Sequence, residues 1–208
     1  MFFFFPLMSR GETDNDLVRR FKSGDRDAFG EIVLRYQHRV FTLCVRWLGD
    51  RAVAEEVAQD VFLNLFRGLA DFRGESSLST YVFRVAVNHC KNKRLYQHRR
   101  AHDRHESIDG NPGNDPDLPP PKQIADQGPG TDRSVHRSEA ERILEQALGR
   151  LDDSQRAILL LRDVEDLPYE EIADILALPK GTVKSRLHRA RAELARVLSQ
   201  FVDDEDLF

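Results

Sequence analysis

The run Tyr169-Glu170-Glu171-Ile172-Ala173-Asp174-Ile175-Leu176, continued by Ala177-Leu178-Pro179 and then Lys180 to Ala195, sets the architecture of the C-terminal end. Tyr169, Ile172, Ala173 and Leu176 recur at helical spacing and predict a two-turn helix with one apolar face. A break of a few residues follows, and Pro179 suits the first turn of the next helix, where its missing N–H costs nothing. In that second helix Val183, Leu187, Ala190 and Leu194 fall within about 60° of one another at ~100° per residue, which is a buried stripe. Ser185, His188, Arg189 and Ala192 then face outward, flanked by Lys184 and Arg186. Two short helices around a tight turn, the second with a small, polar and cationic outer face, make a helix-turn-helix that a major groove admits. Arginine there reads guanine by paired hydrogen bonds, and Lys184 and Thr182 suit phosphates.

Working back toward the N-terminus, Ile143, Leu144, Ala147, Leu148 and Leu151, then Ala157 to Leu161, predict two further helices that pack this motif. Residues 101–138 break the pattern. Six of the nine prolines (Pro112, Pro116, Pro119, Pro120, Pro121, Pro129) fall there, with Gly110, Gly113, Gly128 and Gly130. A stretch of this composition buries too little apolar surface to offset chain entropy and is expected to be a flexible linker.

Ahead of the linker the chain again reads as helix. Leu17, Val18 and Phe21 follow a capping cluster at Asp14-Asn15-Asp16. A run from Phe29 through Ile32, Tyr36, Val40 and Cys44 ends near Gly49-Asp50, and a third carries Val53, Val57, Val61, Leu65 and Leu69. Asp71 to Thr80 is a small polar loop leading into a helix with Val82, Val85, Ala86 and His89 on one face and Arg84, Asn88 and Lys91 on the other. The expected fold class is all-α. Two small helical domains, at 15–100 and 139–200, are joined by the linker at 101–138, with a tail at 1–14 and an acidic tail at 201–208.

The 208 residues hold 31 Lys+Arg against 35 Asp+Glu, a formal charge of −4, which argues against a uniformly basic nucleic-acid binder. The charge is segregated instead. Seven bases against one acid lie between Arg84 and Arg104, seven acids against two bases between Asp103 and Asp132, and six bases against one acid between Pro179 and Arg196. The cationic stripe of Arg84, Asn88 and Lys91 beside a loop with an aromatic and several hydroxyls suits single-stranded nucleic acid, whose bases enter pockets while cations hold phosphates. No run nears the ~20 apolar residues of a membrane span, and the opening Phe2-Phe3-Phe4-Phe5 lacks the flanks of a signal peptide. Two cysteines far apart in sequence, Cys44 and Cys90, predict buried free thiols and a reducing cytoplasm.

Four blocks in order resemble the extracytoplasmic-function sigma factors of bacterial RNA polymerase: Asp25 to Tyr36, Ala54 to Phe62, Phe72-Arg73-Gly74 to Asn88, and Leu151 to Leu161 with Tyr169 to Leu194. The resemblance implies binding to core polymerase (the clamp of its largest subunit and the flap of the second) and to promoter DNA, with an anti-sigma factor as regulator. It implies that Glu55, Glu56, Gln59 and Asp60 face the clamp. Phe72, Arg73, Gly74, Ser76, Ser77 and Ser79 would capture a flipped base of the melted minus-ten element, with Tyr81, Arg84, Asn88 and Lys91 on the helix behind them. Thr182, Lys184, Ser185, Arg186, His188 and Arg189 would read the minus-thirty-five element. Tyr81 stands where the family commonly has Trp. A cytoplasmic protein, monomeric when free, with no catalysis, cofactor, metal or membrane insertion is the expectation.

Three rival readings differ in class. An enzyme or metal sensor would use His98, His102 and His105, whose spacing places them on one helix face; solvated histidines are the simpler reading, because a zinc site needs three or four convergent ligands. A stand-alone helix-turn-helix regulator would bind palindromic duplex DNA as a dimer. A pure adaptor would use its basic faces on acidic partners.

Overall fold

The computed structural model describes residues 12–109 and 139–205, with no strand among them. The N-terminal Phe run, residues 110–138 of the expected linker and residues 206–208 of the acidic tail lie outside the described residues. Helices α1 (Asp14–Lys22), α2 (Asp27–Leu48), α3 (Arg51–Gly68) and α4 (Leu78–Asp109) form the N-terminal half. The C-terminal half holds α5 (Glu139–Arg150), α6 (Asp153–Leu159), a π-helical turn (Leu160–Val164), α7 (Tyr169–Leu176) and α8 (Lys180–Glu205). The first nine residues of the expected linker therefore continue α4, and α8 runs into the expected acidic tail.

Local chemistry explains where the helices start and stop. α1 is capped one residue earlier than the Asp14-Asn15-Asp16 cluster suggests: Thr13 Oγ1 accepts from the Asp16 N–H while the Asp16 carboxylate accepts from the Thr13 N–H. Asp16 is the third residue of the helix, so its carboxylate completes a reciprocal box instead of acting as the cap itself. Gly49, in the left-handed region at φ 74°, closes α2, and Asp50 opens α3 by accepting from the Val53 N–H at 3.0 Å. Asp152 and Gln155 repeat the reciprocal box at the start of α6.

The buried stripes are those the spacing predicts, but broader. In α4 Val82 and Ala86 are buried, and so are Phe83, Val87 and Cys90, which a single helical face does not collect. A helix packed on two sides needs a wider apolar arc, and α4 meets α3 on one side and α2 and α7 on others. Cys44 and Cys90 are distant in sequence yet adjacent in space, free and buried, with Cys90 Sγ 3.7 Å from Cys44 Sγ. The neighbouring thiol and burial push the Cys90 thiol well above its ordinary pKa, which makes it unreactive.

Buried residues of the two halves merge into one cluster, from Leu17 and Phe83 to Val183 and Leu187. Arg156 is the polar centre of this junction. It is 2% exposed and donates to four main-chain carbonyls: Leu148 O at 2.7 Å, Gly149 O at 2.8 Å, Leu151 O at 3.1 Å and Trp47 O at 2.9 Å. Burial, aided by the nearby Arg94 charge, lowers its pKa to about 10, so it still carries its proton near neutrality. Its guanidinium satisfies carbonyls at the end of α5 that the helix itself cannot.

Candidate nucleic-acid interface

The helix-turn-helix is held by a left-handed alanine. Ala177 ends α7 at φ 51°, ψ 47°, the Leu178 N–H reaches back to Ala173 O at 2.9 Å, and the Thr182 N–H bonds Pro179 O at 2.8 Å to start α8. Val183, Leu187 and Ala190 are buried and Leu194 is half-buried, as the stripe requires. Lys184, Ser185, His188 and Arg189 are exposed on the outer face, and Thr182 and Arg186 are half-buried at its edge. Ser185 Oγ donates to Thr182 O at 3.0 Å, so its hydroxyl lies along the helix. Arg191 is engaged by the Asp163 carboxylate and Arg196 by Glu193. Among the described residues Lys184 and Arg189 have no ion-pair partner, which leaves their charge for an anion outside the chain.

The second face surrounds the loop between α3 and α4. Phe72 lies against Tyr81 with ring centroids 5.0 Å apart and planes tilted by 32°, and Lys22 Nζ donates to Phe72 O. Tyr81 thus fills the position next to the loop with an aromatic, its phenol so close to Gly68 that a Cβ there would sit 2.2 Å from the hydroxyl. Gly74 takes φ 73°, which glycine adopts without strain, and turns the chain so that Gly74, Ser76 and Ser77 wall a cavity of about 740 Å³. The opposite wall is Asp14, Asn15 and Arg35, with Arg35 held by the Asp14 carboxylate and Glu12 O. That wall escaped the sequence reading, since nothing in the spacing of α1 says which loop it meets. Tyr36, whose hydroxyl donates to Asp14, has its pKa raised by burial and by that carboxylate.

Behind the loop, Arg73 and Asn88 are exposed or partly so, Ser79, Arg84 and Lys91 line the same side of α4, and Arg84 Nε is buried without an acceptor. Ser77 Oγ caps α4 by accepting from the Thr80 N–H at 3.0 Å, and Thr80 itself is buried. Thr80 is a member of the site that the sequence reading missed; the Ser-x-x-Thr spacing was its only signal.

A third surface lies between α2 and α3. Phe29, Val33, Phe41, Phe62, Leu63 and Phe66 line an open groove of about 860 Å³, with Leu63 56% exposed. Glu55 and Gln59 stand on its rim. Glu56 turns away and pairs with Lys93 of α4 at 2.7 Å, and Asp60 is exposed. The four residues expected to face one partner therefore divide into two pairs. The apolar lining between them was not singled out from sequence, because Phe62, Leu63 and Phe66 read equally well as core. Of the three histidines weighed as metal ligands, His98 is exposed, and the side chains of His102 and His105 lie outside the described residues; among the described residues no three His, Cys, Asp or Glu converge.

These surfaces coincide with known families. Residues 32–104 match the sigma-70 region 2 family and residues 141–194 the sigma-70 region 4 family. The chain is 35% identical over 187 residues to the RNA polymerase sigma-H factor of Pseudomonas aeruginosa, covering 90% of this chain and 94% of that protein. It is 35% identical over 191 residues to the ECF RNA polymerase sigma-E factor of Haemophilus influenzae, covering 88% and 94%. The sigma factor RpoE of Bartonella quintana, solved in complex with the anti-sigma factor NepR, has the same fold, with a TM-score of 0.56, 23% identity and coverage of 82% of this chain and 96% of that one. With two helical halves in the same order and relatives matched over nearly their whole length, the chain belongs to the extracytoplasmic-function sigma factors of the sigma-70 family.

Proposed function

We propose a division of labour within this alternative sigma factor, which directs core RNA polymerase to promoters. Residues 15–100 bind the polymerase and the melted strand, and residues 139–200 read duplex DNA. The observation that carries this reading is the pair of differently built faces: a regular helix with free Lys184 and Arg189, and a loop cavity walled by Gly74, Ser76 and Ser77. A helix of that kind enters a major groove, where Arg189, His188 and Lys184 meet base edges and Thr182 and Arg186 meet phosphates. A cavity lined by hydroxyls and main chain suits one unstacked base. Extruding it costs a few kcal/mol, and stacking on the Phe72–Tyr81 pair offsets part of that cost. Arg73, Ser79, Arg84, Asn88 and Lys91 hold the strand behind the base.

The clamp of the largest polymerase subunit takes the α2–α3 groove, with Glu55 and Gln59 at the rim and Glu56 and Asp60 beside it. The flap of the second subunit and an anti-sigma factor complete the partners. The protein acts in the cytoplasm, as a monomer when free, and performs no chemistry of its own. Run-off transcription with purified core polymerase on pooled genomic promoter fragments tests the reading: discrete transcripts that need this protein are expected. Tight dimeric binding to palindromic duplex DNA without polymerase, and no transcripts, would replace it by the stand-alone regulator.

A further inference from the structure

Among the described residues, polar contacts cross between the two halves at four places, and one of them falls on the loop assigned above to strand capture. Thr80 Oγ1 donates to Glu171 Oε2 at 2.8 Å, and Ser77 Oγ donates to the same oxygen at 3.2 Å. Glu171 belongs to α7, so the first helix of the duplex reader closes the cap of the melting helix α4. The other three contacts hold the halves in that register. Arg39 Nε donates to Glu165 Oε2 at 2.8 Å and its Nη2 to Glu165 O at 3.2 Å; the Glu165 side chain is only 3% exposed. Arg94 Nη1 meets Asp153 Oδ1 at 2.8 Å, and Arg156 Nη1 meets Trp47 O at 2.9 Å.

This arrangement conflicts with simultaneous use of both DNA faces. The minus-ten and minus-thirty-five elements are about 25 base pairs apart, roughly 85 Å at ~3.4 Å per base pair. A folded chain of this length has a radius of gyration of about 17 Å. The packed halves are too close together to span the promoter. The position of Glu171 adds a chemical conflict, because a carboxylate at the start of α4 is favoured by the helix dipole and repels an incoming phosphodiester.

We propose that the free chain is self-closed, with Glu171 as the internal latch over Ser77 and Thr80, and that this latch parts before the loop captures the melted strand. The inference rests on the sigma-factor reading for the identity of the strand, but the closure itself does not. Glu165 with Arg39 forms a second strut, and the two act together because each needs the halves in one register.

Hydrogen–deuterium exchange on the full free chain tests this. The Thr80 and Tyr81 amides, which donate to Ser77 Oγ at 3.0 Å and Ser77 O at 3.1 Å, report on the latch. Glu171→Gln is expected to speed both about fivefold. Glu165→Ala, which removes the partner of Arg39 and touches neither Ser77 nor Thr80, is expected to speed the same two amides by a similar factor. Acceleration in both variants supports closure; wild-type rates in Glu165→Ala overturn it, because the Glu171 contact is then only a local cap. Run-off transcription by Glu171→Gln with core polymerase is expected to persist. Absence of transcripts with the wild-type protein would count against the sigma reading and leave the exchange comparison standing.

Discussion

Arg156 Nη1 of the C-terminal half donates to the main-chain carbonyl of Trp47 in the N-terminal half at 2.9 Å. One guanidinium thus joins the end of α2 to the end of α5, where Leu148, Gly149 and Leu151 supply the other carbonyls. Arg156→Met removes all four bonds and leaves buried acceptors unpaired, which should cost about 3 kcal/mol or more. Arg156→Lys should recover only part of this, since an ammonium cannot fan its donors over four carbonyls. Urea unfolding of the three proteins checks the order.

Ala177 holds a left-handed conformation that costs a side chain ~1–2 kcal/mol, while glycine adopts it freely at the expense of more unfolded-state entropy. Ala177→Gly should therefore raise stability by about 0.5–1 kcal/mol and leave duplex binding unchanged. Thermal melting and a promoter-fragment binding assay decide both halves of that statement.

Leu63 is more than half exposed in the α2–α3 groove. Leu63→Asp should leave the melting temperature within a degree or two, because surface changes seldom exceed ~0.5 kcal/mol. It should weaken core polymerase binding tenfold or more, since an apolar contact is replaced by a desolvated charge. Titration of labelled protein with core polymerase measures this.

Arg189→Ala should weaken promoter recognition by about 1–3 kcal/mol while polymerase binding stays intact. Asn88→Ala should leave closed-complex formation unchanged and reduce strand opening, read by permanganate footprinting. Equal loss of polymerase and promoter binding in Arg189→Ala would contradict its placement on the duplex reader.

Glu165 carries a pH prediction. Burial raises its pKa above the ordinary 4.5, and the Arg39 guanidinium opposes that rise without cancelling it. Its folded-state pKa then exceeds the unfolded one, so the folded form binds more protons between the two values. Its contribution to stability is full below pH 4.5 and is lost as pH rises through the folded value. The stability of wild type minus Glu165→Gln should accordingly increase as pH falls from neutrality through that window to 4.5. Chemical denaturation of the pair across the range tests the sign.

Most of the fold was legible because the helices are amphipathic and punctuated. Gly49-Asp50 ends one helix and begins the next as the sequence implies, and the Val183–Leu187–Ala190 stripe is buried. The outward face of α8 was equally readable, since polar residues on the far side of a buried stripe have one direction to point. What escaped depends on contacts between distant segments. The wall of Asp14, Asn15 and Arg35, the burial of Thr80 and the pairing of Glu56 with Lys93 are set by how α1, α3 and α7 meet α4 and its loop. The extension of α4 to Asp109 escaped because charged residues after Arg94 show no apolar period, yet nothing among them breaks a helix before Gly110.

The π-helical turn at Leu160–Val164 carries the Glu165 N–H onto Leu160 O at 3.0 Å, five residues back, and so holds one residue more than an α-helical turn would. Deleting any one residue there would restore regular winding and rotate the downstream helices by about 100°. Glu165 would swing away from Arg39, and Glu171 would be carried off the start of α4 with it. The count of residues in this turn is therefore a gauge of how the two halves face each other, tolerant of changes in side-chain type but not of a change in length.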